Sequence, residues 1–148
     1  MTTSPDPTFG RELIARGVAV VGLAGVALIH LLDSLGKFQE TPYMGWMYIG
    51  LIAASLATAF ALVRTSDTRV WTAALVLPAS AIAGFVLTRT VGLPLATEDI
   101  GNWGEPLGMA SLLVEGSLVA LAAAVLGERG SSGARSLALP RSRVTSAA

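Results

Sequence analysis

The sequence predicts an all-α fold, an integral membrane four-helix bundle, and three observations carry that reading. Of 148 residues, 53% are hydrophobic and only 14% are charged, against about 25% charged residues in soluble domains. The apolar residues collect in four stretches, 13–32, 44–63, 70–88 and 106–126. Each is near the ~20 residues that cross a ~30 Å hydrocarbon core. Ala, Leu and Gly dominate these stretches without strand-like alternation, and lipid demands that backbone groups be satisfied internally, so the spans are helices.

The first span follows Arg11 and Arg16. Gly25-Val26-Ala27 offers a small-x-small cleavage site, but the apolar run continues past it, so the segment is retained as a helix rather than a signal peptide. Near its far end, His30 and Asp33 share a helical face. With the boundary at Asp33, His30 would lie about 5 Å inside. It reads as a ligand, a proton carrier or pH sensor, or a hydrogen-bonded interfacial histidine.

The second span opens on "ETPYMG" and the fourth on "GEPLGM". Both place a Glu, Glu40 or Glu105, shortly before a Pro that starts a helix. Proline suits the first turn, where its missing N–H costs nothing, and an acid complements the helix dipole. Shared helix-start chemistry explains the echo better than a two-hairpin repeat. The third span carries Pro78 at mid-length, which should kink it and free a carbonyl one turn back. It ends in "LTRTVGLP". Arg89 there either snorkels to headgroups or pairs bidentately with Glu40, Glu105 or Glu115.

The fourth span holds the deepest acid. Glu105, Gly108, Ser111 and Glu115 recur at three- and four-residue steps and so share a face. Glu115 lies about 13–14 Å beyond Pro106, close to the midplane. An ionised acid there costs at least ~2.5–3.5 kcal/mol, so Glu115 faces the bundle interior, is protonated, or both. One reading is a proton- or cation-handling carboxylate reached by a polar track. The other is a protonated acid hydrogen-bonded to a neighbour and fixing helix register. His30 is expected roughly 9 Å shallower, needing a water, Ser111 or tilt to bridge the gap.

Charge orients the spans. Arg11, Arg16, Arg64, Arg69, Arg129, Arg135, Arg141 and Arg143 fall on one side, with only Lys37 and Arg89 on the other. The positive-inside rule then places both termini in the cytoplasm. Asp33, Glu40, Glu98, Asp99 and Glu105 make the outer side acidic. Tyr43, Trp46 and Trp103 are expected at the outer interface and Trp71 at the inner one. Residues 1–12 and the Arg-rich 127–148 read as disordered cytoplasmic tails around the 13–126 domain. Nine of the ten basic residues are Arg, a bias that with the abundant Ala suggests a GC-rich bacterial genome, hence the plasma membrane.

Several chemistries are excluded. There is no cysteine, so no disulfide or thiolate site. One His rules out a multi-histidine metal or haem site within one chain. His30, Asp33, Glu40, Glu98 and Asp99 are the metal candidates, but their spacing matches no compact motif. No nucleophile–base pair, phosphate loop, dinucleotide fingerprint or nucleic-acid motif occurs, and no cofactor is specified. Gly22, Gly25, Gly45, Gly104 and Gly108 permit close helix approach, and Gly104-x-x-x-Gly108 could equally serve a homodimer.

The stretches "ALIHLLDSLGKFQETPYMGWMYIG", "LTRTVGLP" and "WGEPLGMASLLVE" resemble a group of small four-span actinobacterial membrane proteins. The shared positions are His30, Glu40, Pro42, Tyr43, Gly45, Arg89, Gly92, Pro94, Glu105, Pro106 and Glu115, within about residues 13–126. The resemblance implies the four-span topology and no particular activity. The leading functional expectation is an outward-facing polar pocket for a proton, small ion or polar ligand, lined by His30, Glu40, Arg89, Glu105, Ser111 and Glu115. The rival is a non-catalytic accessory subunit of a larger membrane complex, and a membrane enzyme is the third reading.

Overall fold

The computed structural model describes residues 7–138. Four helices follow one another: α1 (Pro7–Glu40), α2 (Pro42–Arg64), α3 (Thr68–Thr90) and α4 (Pro106–Ala138). Each contains a segment long and apolar enough to cross a membrane. The shortest have 23 residues, about 35 Å at 1.5 Å per residue, which spans the hydrocarbon with a modest tilt. Large apolar side chains such as Val21, Leu28, Leu56, Phe60, Val76 and Leu113 point outward from all four helices. In water that surface would be unstable; in lipid it is solvated. This is a multi-pass membrane protein.

The helices exceed their expected lengths at two places. α1 and α4 continue through 7–12 and 127–138, residues expected to be disordered. Pro7 sits at the first helical position, where it costs no hydrogen bond. The extended ends are cross-linked, Arg11 to Glu128 at 2.8 Å and Arg129 to Glu12 at 3.6 Å. Arg129 also donates to the Ser66 hydroxyl (2.6 Å) and to its carbonyl, so it holds α4 to the α2–α3 turn. The rest of the expected tails, 1–6 and 139–148, lies outside the described residues.

These contacts define two ends. At the terminal end, Arg16 donates to the Leu62 and Val63 carbonyls at 2.7 and 2.8 Å, satisfying two of the free carbonyls that end α2. Asp67 caps α3, accepting from the Arg69 N–H at 2.7 Å. Trp71, expected as an interfacial anchor, is fully buried and donates to Ser66 at 3.2 Å. Above it sits a dry core of Ala19, Leu23, Val26, Ala59, Leu62, Ala74, Leu118 and Ala122.

At the loop end, α1 turns into α2 at Thr41, and residues 91–105 connect α3 to α4. Gly92, with φ +75°, ends α3 by donating to the Leu87 carbonyl at 3.0 Å, a left-handed cap that glycine accepts without steric cost. The Leu93–Ala96 turn carries Pro94 followed by Leu95 at φ 61°. Thr41 and Tyr43 hold this turn, donating to the Leu95 and Pro94 carbonyls at 3.1 and 2.7 Å. The loop is thereby fastened to the start of α2.

Helix approach depends on glycine at few positions. A Cβ on Gly22 would lie 2.7 Å from Leu118, on Gly45 2.6 Å from Phe38, and on Gly108 2.5 Å from Phe85. Gly104, by contrast, lies before α4 with nothing within 4 Å, so Gly104 and Gly108 do not form one helical seam. Leu118 is in the core and has little room to move. We expect Gly22→Val to lower stability by about 1–3 kcal/mol, read as a reduced melting temperature in maltoside detergent. Gly17→Ala, with nothing within 4 Å, should leave it unchanged or raise it slightly. Equal melting of both variants would contradict this packing.

Candidate functional site

The polar residues buried in the loop-end half surround a cavity of about 400 Å³ reached by all four helices. Its position follows from helix pairing: α1 packs mainly on α2 and α3 on α4, whereas α2 and α3 meet far less. The cavity occupies the space between the two hairpins. Leu51, Leu77, Ala81 and Leu107 supply apolar walls, and His30, Asp33, Ser111 and Glu115 a polar floor.

Glu115 is 1% exposed and accepts the Ser111 hydroxyl at 2.7 Å. His30 Nε2 lies 3.8 Å away. The two were expected at different depths, and the correction is physical. α1 runs on to Glu40 instead of ending near Asp33, so His30 sits ten residues from its helix end and Glu115 nine from Pro106. At 1.5 Å per residue they reach nearly the same level. The ring nitrogens have distinct tasks. Nδ1 lies 2.9 Å from the Val26 carbonyl, which can only accept, so Nδ1 carries the hydrogen. Nε2 is therefore the ring nitrogen that faces the Glu115 carboxyl group. Tyr48 packs edge-on against the ring at 4.9 Å between centroids.

Toward the loop, a charged network borders the cavity. Arg89 is 5% exposed. Its Nε donates to the Asn102 carbonyl at 2.7 Å, and Nη1 to the Thr88 hydroxyl at 3.2 Å. Nη1 also lies 3.2 Å from Asp99, and Nη2 pairs with Glu105. The Phe85 ring lies beneath the guanidinium, 4.7 Å from centroid to Cζ. Asp99 is shared with Lys37 at 3.2 Å, and Lys37 reaches Glu40 at 3.0 Å. A protein interior accepts such charges only when they are paired and hydrogen-bonded.

The expected site residues divide accordingly. His30, Arg89, Glu105, Ser111 and Glu115 border the same cavity. Glu40 does not; its exposed carboxylate is turned to Lys37. Arg89 meets Glu105, as one of its three expected partners, but neither Glu40 nor Glu115. The metal candidates separate: Glu98 and Glu40 are exposed, Asp99 is in the ion network and His30 faces Glu115. Among the described residues no three His, Asp or Glu side chains converge as a metal site. Lys37, Asp99 and Tyr48 were missed as cavity residues. For Lys37 a signal existed: His30, Asp33, Ser34 and Lys37 form a polar stripe at helical spacing. For Asp99 none did, because an acid in a polar loop looks solvated whether or not it folds inward.

No family model, curated protein or solved structure matches the chain, so the chemistry of the site rests on its own geometry. That geometry makes Arg89 the tie between α3, the loop and α4. Arg89→Gln should cost about 3–5 kcal/mol by leaving buried carboxylates without their cation. Arg89→Lys should recover only part, because a single ammonium cannot reproduce the forked contacts. Thermal unfolding in detergent measures both, and a Lys variant as stable as the parent would refute the geometric requirement.

Proposed function

We propose that this is a multi-pass protein of the bacterial plasma membrane, both termini cytoplasmic, whose cavity opens outward and binds a proton, small ion or polar ligand. The orientation rests on the arginines of the terminal end, Arg11, Arg16, Arg64, Arg69 and Arg129. The pocket reading rests above all on Glu115 facing His30 Nε2 at 3.8 Å on a cavity wall. A dry apolar core would fill that space more cheaply than an acid and an imidazole. The cavity volume falls within the range of small-molecule sites, about 300–1,000 Å³, and its mix of apolar walls with a few polar groups is typical of them. The apolar core below it speaks for a binding site open from one side rather than a continuous channel.

The absence of cysteine makes the reading testable by single substitutions. In intact cells, Ser111→Cys should react with a small membrane-impermeant thiol reagent added outside, as should Glu98→Cys in the loop. Ser132→Cys at the terminal end should react only after the membrane is opened. Ser117→Cys, on an exposed face of α4 within the span, should stay unreactive in lipid. A Ser111→Cys variant protected from outside while Glu98→Cys reacts would sink the outward pocket. Reaction of Ser132→Cys in closed cells would reverse the orientation.

A further inference from the structure

We propose that the cavity takes a small amphiphilic primary amine, its ammonium group bound at the His30–Glu115 pair, with the Asp33 carboxylate bordering the same cavity, and its hydrocarbon body along the α2–α3 wall. The inference deepens the pocket reading above and depends on it.

The charge left free in the cavity favours a cation. Arg89 and Lys37 are the cations bordering the cavity, and both are engaged, with Glu105 and Asp99 and with Glu40 and Asp99 respectively. Asp33 has no cationic partner among the described residues. Glu115 has His30 alone, and only when the ring carries a second proton. What the cavity offers an incoming ligand is therefore negative, and an anion would meet no free cation.

The hydrogen-bonding groups favour a donor. His30 is 8% exposed, directs Nδ1 to Val26, and leaves Nε2 without a hydrogen-bond partner among the described residues, in a ring that borders the cavity. In the neutral ring Nε2 is an acceptor. The His30–Glu115 pair thus presents an imidazole nitrogen and a carboxylate, and Asp33 adds a second carboxylate to the cavity lining. A primary ammonium has three N–H donors for them. A quaternary ammonium has none, and an inorganic cation would leave most of a 400 Å³ cavity unfilled.

The α2–α3 wall favours a ligand with an apolar body. Met47 and Gly50 of α2 and Ser80 of α3 border the cavity and are also exposed, so it reaches the bundle surface between these loosely joined helices. That side meets lipid. A ligand with an apolar body can lie there without desolvation cost, its charged end inside.

Purified full-length protein in non-ionic maltoside detergent, which carries no amine, provides the test. Calorimetric titration would compare benzylamine, which is cationic at neutral pH, with benzyltrimethylammonium, benzyl alcohol and benzoate. Benzylamine should bind most tightly and benzoate not at all. Glu115→Gln should weaken benzylamine about tenfold or more and Asp33→Asn about three- to tenfold, the scale of charge-assisted hydrogen bonds. Glu98→Gln, in the exposed loop, should change nothing. If Glu115→Gln does not fold, the Asp33→Asn loss carries the comparison. Benzyl alcohol or benzoate binding as well as benzylamine overturns the amine, as does equal binding of the quaternary compound. Absence of binding by all four while Ser111→Cys still reacts from outside overturns the amine and leaves the outward pocket standing.

Discussion

Arg89 is the group whose burial constrains everything around it. A guanidinium does not shed its proton to escape a low-dielectric site, so the chain must bring partners to it. It does so from three directions: Asp99 and Asn102 from the loop, Glu105 from the start of α4, and Thr88 from its own helix. Asp99 passes the link on to Lys37 of α1. The 15-residue connection that looks irregular is thus held by a charge that cannot be neutralised, and the entry point of α4 follows. That entry point sets the depth of Ser111 and Glu115.

The two halves of the bundle solve opposite problems. Near the termini, small side chains and Trp71 fill the interior, and dispersion between close-packed atoms holds the helices where the hydrophobic effect is weak. Arginines there finish helix ends and bridge chain segments distant in sequence. Near the loops, polar groups occupy the interior, and the buried charges there are paired, because burial without a partner is costly. Phe38 against Gly45 and Phe85 against Gly108 draw each hairpin together, whereas nothing comparable draws α2 onto α3. The cavity is the space this unequal pairing leaves.

Much of this was legible and some was not, for identifiable reasons. Glu115 announces itself because a carboxylate amid Leu, Val and Gly has few tolerable surroundings in lipid. The level of His30 relative to it is not legible, because hydropathy falls near Asp33 although the backbone hydrogen-bond ladder runs on to Glu40. Hydropathy reports the solvent preference of side chains; helix length is set by where the ladder can no longer continue. The same confusion assigned residues 7–12 and 127–138 to disordered tails. Trp71 was read as an interfacial anchor because aromatic belts are common, yet packing against a neighbouring turn competes with the interface for the same ring.

By itself the sequence determined the number of spans, their helical character and the gathering of most arginines at one set of span ends, because these follow from local hydrophobicity, backbone satisfaction and composition, which need no knowledge of neighbours. It also singled out His30, Arg89 and Glu115 as costly in lipid. Only the tertiary structure decided that Asp99 turns inward to Lys37 and Arg89, that Glu40 stays outside the cavity, and that His30 and Glu115 stand at one level with an imidazole nitrogen to spare. Such pairings join residues up to 85 positions apart, as His30 and Glu115 are, and depend on the relative axial shift and rotation of packed helices. A shift of a few ångströms changes every partner while leaving each helix's own periodicity untouched.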